Sequence, residues 1–487
     1  MKAIKENNLL RCILVSAAVI AIYTVSFPAG DLITADIIKI IMAALLIMIA
    51  GCNVYLYKTK KLSYDKVISS VILAGFVMRI GYMLYTPCNV RSHDLWEFNT
   101  EGYGHAGYIL CLIQDKMLPQ NNIRQYYQQP FFYIASSLVS RLIHSITGSD
   151  DPYALVDAAK TVSCAASCMT LLLAEKLCSM FGLEKREKLV TIVIAAFHPA
   201  FYLSSRVTPD MLVTFLMTVA LIYTFKWYDS PDWKNTLILA VTYGLAVMTK
   251  LSAGVVALFT AAVFIVKLIQ LIKEKKFGHL IPKFIVFGII SLPIGLWYSV
   301  RNYIKFGQEI GFVLKAGGED SRLYVGNRSL FQRFVVPDFK NLLSTPYADP
   351  GDDYNLLVYS LKTSLFGEFT HSVPAFVPVL LMYSALILCV ISLIGAASAV
   401  KHIKEDKKTA VLAGVCALFM ISIISFNIKF PHACSMDYRY MTFVTIPFAV
   451  LISKFLMRTE NKKFRALLYS SLAVYSCASC LMYILEK

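Results

Sequence analysis

Long apolar runs recur along almost the whole chain and limit what it can fold into. A charge-poor run of about 20 residues is the length that an α-helix needs to cross the hydrocarbon core of a bilayer. Such runs predict an all-α polytopic membrane protein with a bundle of about thirteen transmembrane helices. They lie at about 9–28, 34–57, 67–86, 153–181, 189–205, 208–228, 235–249, 252–273, 282–300, 374–400, 409–427, 438–457 and 465–485.

The composition agrees with a membrane protein and argues against nucleic-acid binding. Only 16% of the 487 residues are charged and 57% are hydrophobic, whereas a soluble domain carries about 25% charged residues. The net charge of +16 does not form a basic face, because the Lys and Arg residues occur in short clusters between the apolar runs. This distribution is typical of the positive-inside rule for membrane proteins, so we expect no nucleic-acid partner.

The basic clusters also predict an orientation. Thirteen crossings that start from a cytoplasmic N-terminus place every strongly basic short loop on the cytoplasmic side. These loops lie at 58–61, 184–188, 273–276, 401–408 and 458–465. We therefore expect a multi-pass protein of the cell membrane in which 87–152 and 301–373 are extracytoplasmic. The shorter apolar stretch 130–147, which Arg141 and His144 interrupt, is expected to lie along the interface.

The polar stretch 87–130 stands out between the apolar runs as a large first extracytoplasmic loop. It gathers His93, Asp94, Glu97, Glu101 and His105 within thirteen residues. Glu97 and Glu101 are four residues apart and would share one face of a helix. The ordinary interpretation of each residue is a solvated or capping group. A metal role for the histidines would need further ligands, which the sequence does not locate.

Ionisable residues also occur at the outer ends of several spans. Such residues are costly near a bilayer and often mark function. The group consists of Arg79, Arg206, Asp210, Lys250, Arg301 and Arg439. Each cation alone has a simpler explanation, because basic side chains at helix ends often extend their charge to the interface. As a set at one depth, they are predicted to line a single cationic cavity with Asp94, suited to a phosphate-bearing ligand.

The order of these motifs resembles the integral-membrane C-type (GT-C) glycosyltransferases, in particular the bacterial branch similar to protein O-mannosyltransferases and aminoarabinose transferases. The resemblance covers roughly 67–455. It rests on RSHDLWEFNTEGYGHAGYI, YQQPFFYIASSLVSRLIHSITG, AAFHPAFYLSSRVTPDMLVTFLMTVAL, IGLWYSVRNYIKFGQ and MDYRYMTFVTIPFAVLI. The chain departs from the family pattern where Gln128-Gln129-Pro130 replaces His-Pro-Pro, and where two additional spans precede the usual start.

The resemblance implies three parts of the chain. Residues 1–66 would form two extra N-terminal spans, and 458–487 a C-terminal span. Residues 67–457 would form a GT-C-like catalytic membrane domain. Within that domain, 87–152 would be the first outer loop with its interfacial helix, and 301–373 the second large outer loop.

The resemblance also implies transfer of a sugar from a polyprenyl-phosphate carrier to a membrane-associated or cell-envelope acceptor outside the membrane. A phosphate leaves without protonation when cations balance its charge, so one carboxylate base suffices, and single displacement predicts inversion. We expect Asp94 to be this base, with His93 and Asp210 also catalytic. The expected phosphate ligands are Arg206, Lys250, Arg301 and Arg439, and the expected acceptor-side or other contacts are Glu97, His105, Tyr127 and Tyr438. A divalent metal is possible but is not implied, and no other cofactor is expected.

Two other classes of protein fit parts of the pattern. A transporter or flippase of lipid-linked saccharides would share the spans and the cationic cavity. Transporters, however, often carry internal repeats and polar groups at the bilayer midplane, whereas here the centres of most spans are apolar and the charges lie at one end. A non-catalytic scaffold would tolerate the loss of Asp94.

Overall fold

The computed structural model describes residues 8–27, 34–96, 104–346 and 353–486. Within these ranges the regular structure is helical, and an isolated bridge between Tyr324 and His432 is the single β pairing. The α-helices are α1 (Asn8–Ser26), α2 (Ala35–Lys58), α3 (Tyr64–Tyr85), α4 (His105–Leu110), α5 (Phe131–Thr147), α6 (Pro152–Ala158), α7 (Lys160–Met180), α8 (Lys185–Phe197), α9 (Asp210–Asp229), α10 (Trp233–Thr249), α11 (Gly254–Lys273), α12 (Ile281–Phe306), α13 (Leu330–Phe334), α14 (Leu356–Phe366), α15 (Phe376–Lys401), α16 (Lys407–Lys429), α17 (Thr445–Arg458) and α18 (Lys462–Ile484).

The all-α polytopic architecture is confirmed. By length and composition, fewer than thirteen of the described helices can span a membrane. Ten helices in the described ranges are long and apolar enough to cross a membrane. An eleventh arises if α8 and the 3₁₀ segment Pro199–Ser205, which are bent by 47°, form one broken span. The runs 235–249 and 438–457 also form helices, but α10 has 17 residues and α17 has 14. Both are shorter than the roughly 20 residues that a perpendicular span needs.

Helices from the middle of the chain form the centre of the bundle. Most of the surface of α7 and α9 is buried inside the protein, because α7 packs against α1, α8 and α9, and α9 packs also against α10 and α11. The two additional N-terminal helices lie at the rim, with α1 against α7 and α2 against α3. The last helix, α18, packs against α15 and α8.

The two ends of the bundle have different charge patterns. At one end, ion pairs join the basic loops: Lys408 binds Asp229 at 2.7 Å, and Lys454 binds Asp406 at 2.7 Å. Helix α9 runs from this end to Asp210 over 20 residues, which corresponds to about 30 Å. Asp210 therefore lies at the opposite end of the bundle, which we name the outer end by its position alone. The loops that carry Asp94 and Glu368 at this end are named the outer loops.

Arg79 belongs to the core and not to a cavity. Its guanidinium donates to the backbone oxygens of Ala195 at 2.8 Å and Ala196 at 2.7 Å, and its Nε donates to Ser167 at 3.0 Å. The last carbonyls of a helix have no partner within the helix. Arg79 donates hydrogen bonds to these last carbonyls of α8, next to the bend. Its predicted place in the cationic cavity is therefore wrong.

We predict that Arg79→Met destabilises the detergent-solubilised protein by roughly 2–4 kcal/mol, because buried carbonyls lose their donors while the aliphatic stem is retained. The measurement is thermal unfolding. Lys408→Met at a half-exposed ion pair is the control and should change stability by less than about 1 kcal/mol. Equal effects of the two substitutions would contradict this role of Arg79.

Candidate active site

A cavity of about 890 Å³ opens at the end of the bundle opposite the basic loops. Its wall is built from outer loops and from the outer ends of α9, α10, α12 and α16, which are distant in sequence. The cavity brings together seven of the residues that the sequence singled out: His93, Asp94, His105, Tyr127, Asp210, Lys250 and Arg439. Thus the predicted single cavity exists with part of the predicted lining.

Asp94 is presented to the cavity by a tightly held turn. Its φ of 61° is left-handed, a conformation that Asp tolerates better than most side chains. The turn is fixed because His105 N–H donates to the Asp94 carbonyl at 2.9 Å and Ala106 N–H donates to the Leu95 carbonyl at 3.0 Å. A Cβ on Gly104 would lie 2.2 Å from the Leu95 carbonyl oxygen, so only glycine permits this close approach. The Asp94 side chain remains exposed.

Two cations of the cavity, Lys250 and Arg439, are each held by a carboxylate. Lys250 forms an ion pair with the buried Asp210 and lies 4.6 Å from the centre of the Tyr440 ring. Arg439 Nε lies 3.4 Å from Asp437 Oδ2, and its guanidinium donates to the Tyr440 hydroxyl at 3.2 Å. These partners fix the two cations on one side of the cavity, where they can bind an anionic group without reorganising.

Glu368 and Asp437 are functional candidates that the sequence analysis missed. Glu368 lines the cavity, lies 3.2 Å from His93 Nε2 and accepts a hydrogen bond from the Tyr359 hydroxyl at 3.0 Å. It follows Gly367, whose φ of 65° lets the chain turn at the end of α14. Asp437 lies within the quoted segment MDYRYMTFVTIPFAVLI. That position was the available signal for Asp437, whereas Glu368 had no comparable motif.

The surroundings of Asp437 and His105 shift their pKa values in opposite directions. Burial, and then the charge of Glu368, raise the pKa of Asp437 to about 7, although Arg439 and Arg206 oppose the shift. Burial lowers the pKa of His105 to about 4. His105 is therefore neutral at physiological pH and shares a hydrogen bond with the Tyr133 hydroxyl at 2.7 Å. A neutral His105 positions its neighbours and does not balance the charge of Asp94.

Three of the predicted site residues lie outside the cavity lining. Arg206 is buried between the rings of Tyr202 and Phe369, and its Nε donates to the Arg91 carbonyl at 3.1 Å. Arg301 donates to the Pro119 carbonyl at 2.6 Å. The Tyr438 hydroxyl shares a hydrogen bond with Thr445 at 2.7 Å. Arg206 and Arg301 thus contact loop backbone next to the cavity, while Arg206 Nη1 and Nη2 are buried without a hydrogen-bond partner in the described part of the chain. Glu97 and Glu101 lie outside the described residues.

An ion pair between Arg91 and Glu486 ties the Asp94 turn to other outer segments. Arg91 also donates to the Thr370 carbonyl at 2.8 Å, and Glu486 accepts from the Ser372 N–H at 3.0 Å. Lys39 of α2 donates to the backbone carbonyl of Glu486. This network connects the turn before Asp94, the segment after Glu368 and one of the two additional N-terminal helices.

The metal-ligating side chains in the described ranges do not form a cluster. No group of three or more His, Cys, Asp or Glu residues there is arranged to hold a metal ion. The His93–Glu368 contact is a pair, and His105 is directed to Tyr133. The cavity lining presents carboxylates, cations, amides and imidazoles as its chemical groups.

We predict that Asp437 makes stability pH-dependent. A carboxyl whose pKa rises from 3.8 to about 7 on folding contributes stability that is complete below about pH 4 and is lost as the pH rises to about 7. Relative to Asp437→Asn, the wild type should lose on the order of 2–4 kcal/mol across this window and then remain level. Thermal unfolding of both proteins from pH 4 to 8 measures it. A constant difference across this range would contradict the raised pKa.

We predict that loss of the Arg91–Glu486 ion pair loosens the segments that it joins. Glu486→Gln removes the carboxylate charge, so amide hydrogen exchange should accelerate in 88–96 and 367–372 while the spans stay protected. The matched control is Glu175→Gln, which breaks ion pairs to Arg11 at 3.0 Å and Lys188 at 3.2 Å at the other end of the bundle. The control should leave both outer segments unchanged. Unchanged exchange in Glu486→Gln would show that the pair does not hold them.

The comparison with known protein families gives one match. Residues 137–305 match the family model described as dolichyl-phosphate-mannose-protein mannosyltransferase. The matched segment contains Arg206, Asp210, Lys250 and Arg301, whereas Asp94 and Arg439 lie outside it. A search of curated proteins finds no match. The family match supports the resemblance to the GT-C glycosyltransferases and indicates a multi-pass membrane glycosyltransferase of the mannosyltransferase-like type.

Proposed function

We propose that the protein transfers a sugar from a polyprenyl-phosphate carrier to an acceptor on the extracytoplasmic side of the membrane, with Asp94 as the base. The observation that carries this proposal is the meeting of Asp94, Lys250 and Arg439 in one cavity at one end of a membrane-length bundle. A carboxylate base and a pair of cations are the groups that this transfer needs from the protein.

The wall of the cavity fits an amphipathic donor. Beside the cations, it contains an apolar surface from α11, α16 and their neighbouring turns. Leu251, Val255, Phe419, Ile423 and Phe426 form this surface. A lipid chain bound there would place its phosphate beside Lys250 and Arg439, and the sugar would extend toward Asp94.

The reaction balances with these groups. Asp94 takes the proton of the acceptor hydroxyl as its oxygen attacks the anomeric carbon of the sugar. The bond from that carbon to the phosphate oxygen breaks, and the polyprenyl phosphate leaves with both electrons of the bond. A phosphate monoester has a second pKa near 6, so Lys250 and Arg439 can stabilise the leaving group without a general acid. Asp94 then releases its proton to water, and the product has the inverted anomeric configuration.

The remaining residues support these steps. Asp210 holds Lys250 through their ion pair, and Asp437 and Tyr440 hold Arg439. His93, at 3.2 Å from Glu368, orients the turn that carries Asp94. In this assignment Arg206 and Arg301 act indirectly, because they position the loops around the donor phosphate.

The site is proposed to face the extracytoplasmic space because the basic loops gather at the other end of the bundle. Lys408 and Lys454 form their ion pairs there, and basic loops are retained on the cytoplasmic side. The acceptor would therefore be a membrane-associated or cell-envelope molecule.

The test is Asp94→Asn in the purified protein, reconstituted in lipid with a panel of polyprenyl-phosphate sugars and a membrane extract as acceptor. Removal of a general base should lower the release of polyprenyl phosphate by roughly 10²–10⁴-fold. Asp150→Asn, at a side chain that is 92% exposed, is the control and should retain activity. Product with the configuration of the donor would exclude the single displacement.

The same experiment separates the alternatives. Saturable binding of a lipid-linked saccharide without any release by the wild type would support a transporter or flippase. Undiminished release by Asp94→Asn would exclude Asp94 as the base and make Glu368 the next candidate.

A further inference from the structure

Two side-chain amides in the cavity wall have no partner for their carbonyl oxygens. Gln129 is buried, and its Nε2 donates to Ser299 Oγ at 2.8 Å, whereas its Oε1 has no hydrogen-bond partner. Gln308 Oε1 is buried in the same way. Both residues line the cavity. Buried polar atoms in native proteins are nearly always hydrogen-bonded, so unpaired acceptors in a cavity point to a donor that is supplied by a ligand or by water.

The two amides flank the same helix end. Gln129 is bonded to Ser299 of α12, and Gln308 N–H donates at 3.4 Å to the carbonyl of Asn302, which is one turn further along that helix. Both residues therefore contact the outer end of α12 and line the same cavity.

The polar side chains just before Gln129 in the chain are hydrogen-bonded, whereas Asn302 Nδ2, on the residue that Gln308 contacts, is also buried without a partner among the described residues. Gln128 donates to Gln125 Oε1, and its own Oε1 accepts from the Tyr133 hydroxyl at 3.1 Å. Tyr133 shares a further hydrogen bond with His105 at 2.7 Å. Gln129 directly follows Gln128 in the chain, yet its Oε1 has no hydrogen-bond partner within the described ranges.

The surroundings of this region suit a sugar ring. The rings of Tyr127 and Phe312 meet edge to face with centres 5.2 Å apart, and both side chains line the cavity. Aromatic faces cover the apolar C–H surface of a sugar, while amide oxygens accept from its hydroxyls. A carboxylate or phosphate on the sugar would be repelled at the same position, because amide oxygens and anionic oxygens are both acceptors.

We propose that Gln129 and Gln308 form a subsite that accepts hydrogen bonds from hydroxyl groups of the transferred sugar. The inference rests on the proposed function and names its substrate class: a hydroxylated sugar without an anionic group on the side that faces α12. The sugar lies between this amide subsite and Asp94, with its phosphate on the side of Lys250 and Arg439. An ammonium group would also donate to these oxygens, and the test distinguishes it from a hydroxyl.

The first experiment measures binding and does not require turnover. In the Asp94→Asn background, the dissociation constants of polyprenyl phosphate and of polyprenyl-phosphate hexoses give the contribution of the sugar. Gln129→Leu and Gln308→Leu should each weaken hexose-carrier binding by about tenfold while the affinity for polyprenyl phosphate stays unchanged. The control is Gln270→Leu, at an exposed side chain on α11, and it should change neither constant.

The second experiment identifies the recognised group. With the otherwise unmodified protein, kcat/KM is compared between a hexose donor and its single-deoxy analogues. Removal of one sugar hydroxyl should lower kcat/KM by about tenfold in the wild type. The same removal should have little further effect in Gln129→Leu or Gln308→Leu, because the variant has already lost that hydrogen bond. An amino-sugar donor that the wild type prefers over the hexose donor, with the preference lost in Gln129→Leu, would overturn the hydroxyl assignment in favour of an ammonium.

The outcomes separate this inference from the proposed function. Full discrimination between hexose and deoxy donors in both Leu variants would overturn the subsite and assign the amide oxygens to bound water. Binding of polyprenyl phosphate without any contribution from the sugar would also overturn it, while leaving the carrier assignment in place. Failure of the wild type to bind either lipid would remove the proposed function, and the subsite with it.

Discussion

A charged group buried among apolar helices has little water to solvate it, and this constraint explains much of the structure. Three cations at the outer end of the described bundle have a carboxylate partner: Lys250 has Asp210, Arg439 has Asp437, and Arg91 has Glu486. Unpaired buried charges are far more costly than paired ones. The cavity is thus built from ion pairs, and its cations are oriented before any ligand binds.

The same constraint distinguishes the residues that line the cavity from those that hold it. Arg79 and Arg301 carry the same charge as Arg439, yet they donate to backbone carbonyls that helix bends and loops leave unpaired. Arg206 holds the Arg91 carbonyl in the turn before Asp94. A buried arginine can therefore be structural even where its position in the sequence suggests ligand binding. The additional N-terminal helix α2 joins this framework through Lys39.

The candidate chemistry depends on the different environments of the acidic side chains. Asp94 is exposed to the cavity, Asp210 is committed to Lys250, and burial beside Glu368 raises the pKa of Asp437 to about 7. Asp94 thus remains exposed, while Asp210 and Asp437 hold the two cations. The family match over 137–305 covers only the middle of this arrangement, since the Asp94 turn precedes the matched segment and the Glu368 and Arg439 segments follow it.

The sequence by itself determined the all-helical membrane architecture, because apolar runs of span length leave a chain few other options. It also located Asp94, Asp210, Lys250 and Arg439, since charges beside apolar runs are conspicuous. Only the tertiary structure decided which charges face the cavity and which hold carbonyls, because those partners lie far apart along the chain. Glu368 and the free amide oxygens of Gln129 and Gln308 became visible in the same way. Whether a polar atom is paired or free depends on what packs against it, and no local pattern records that contact.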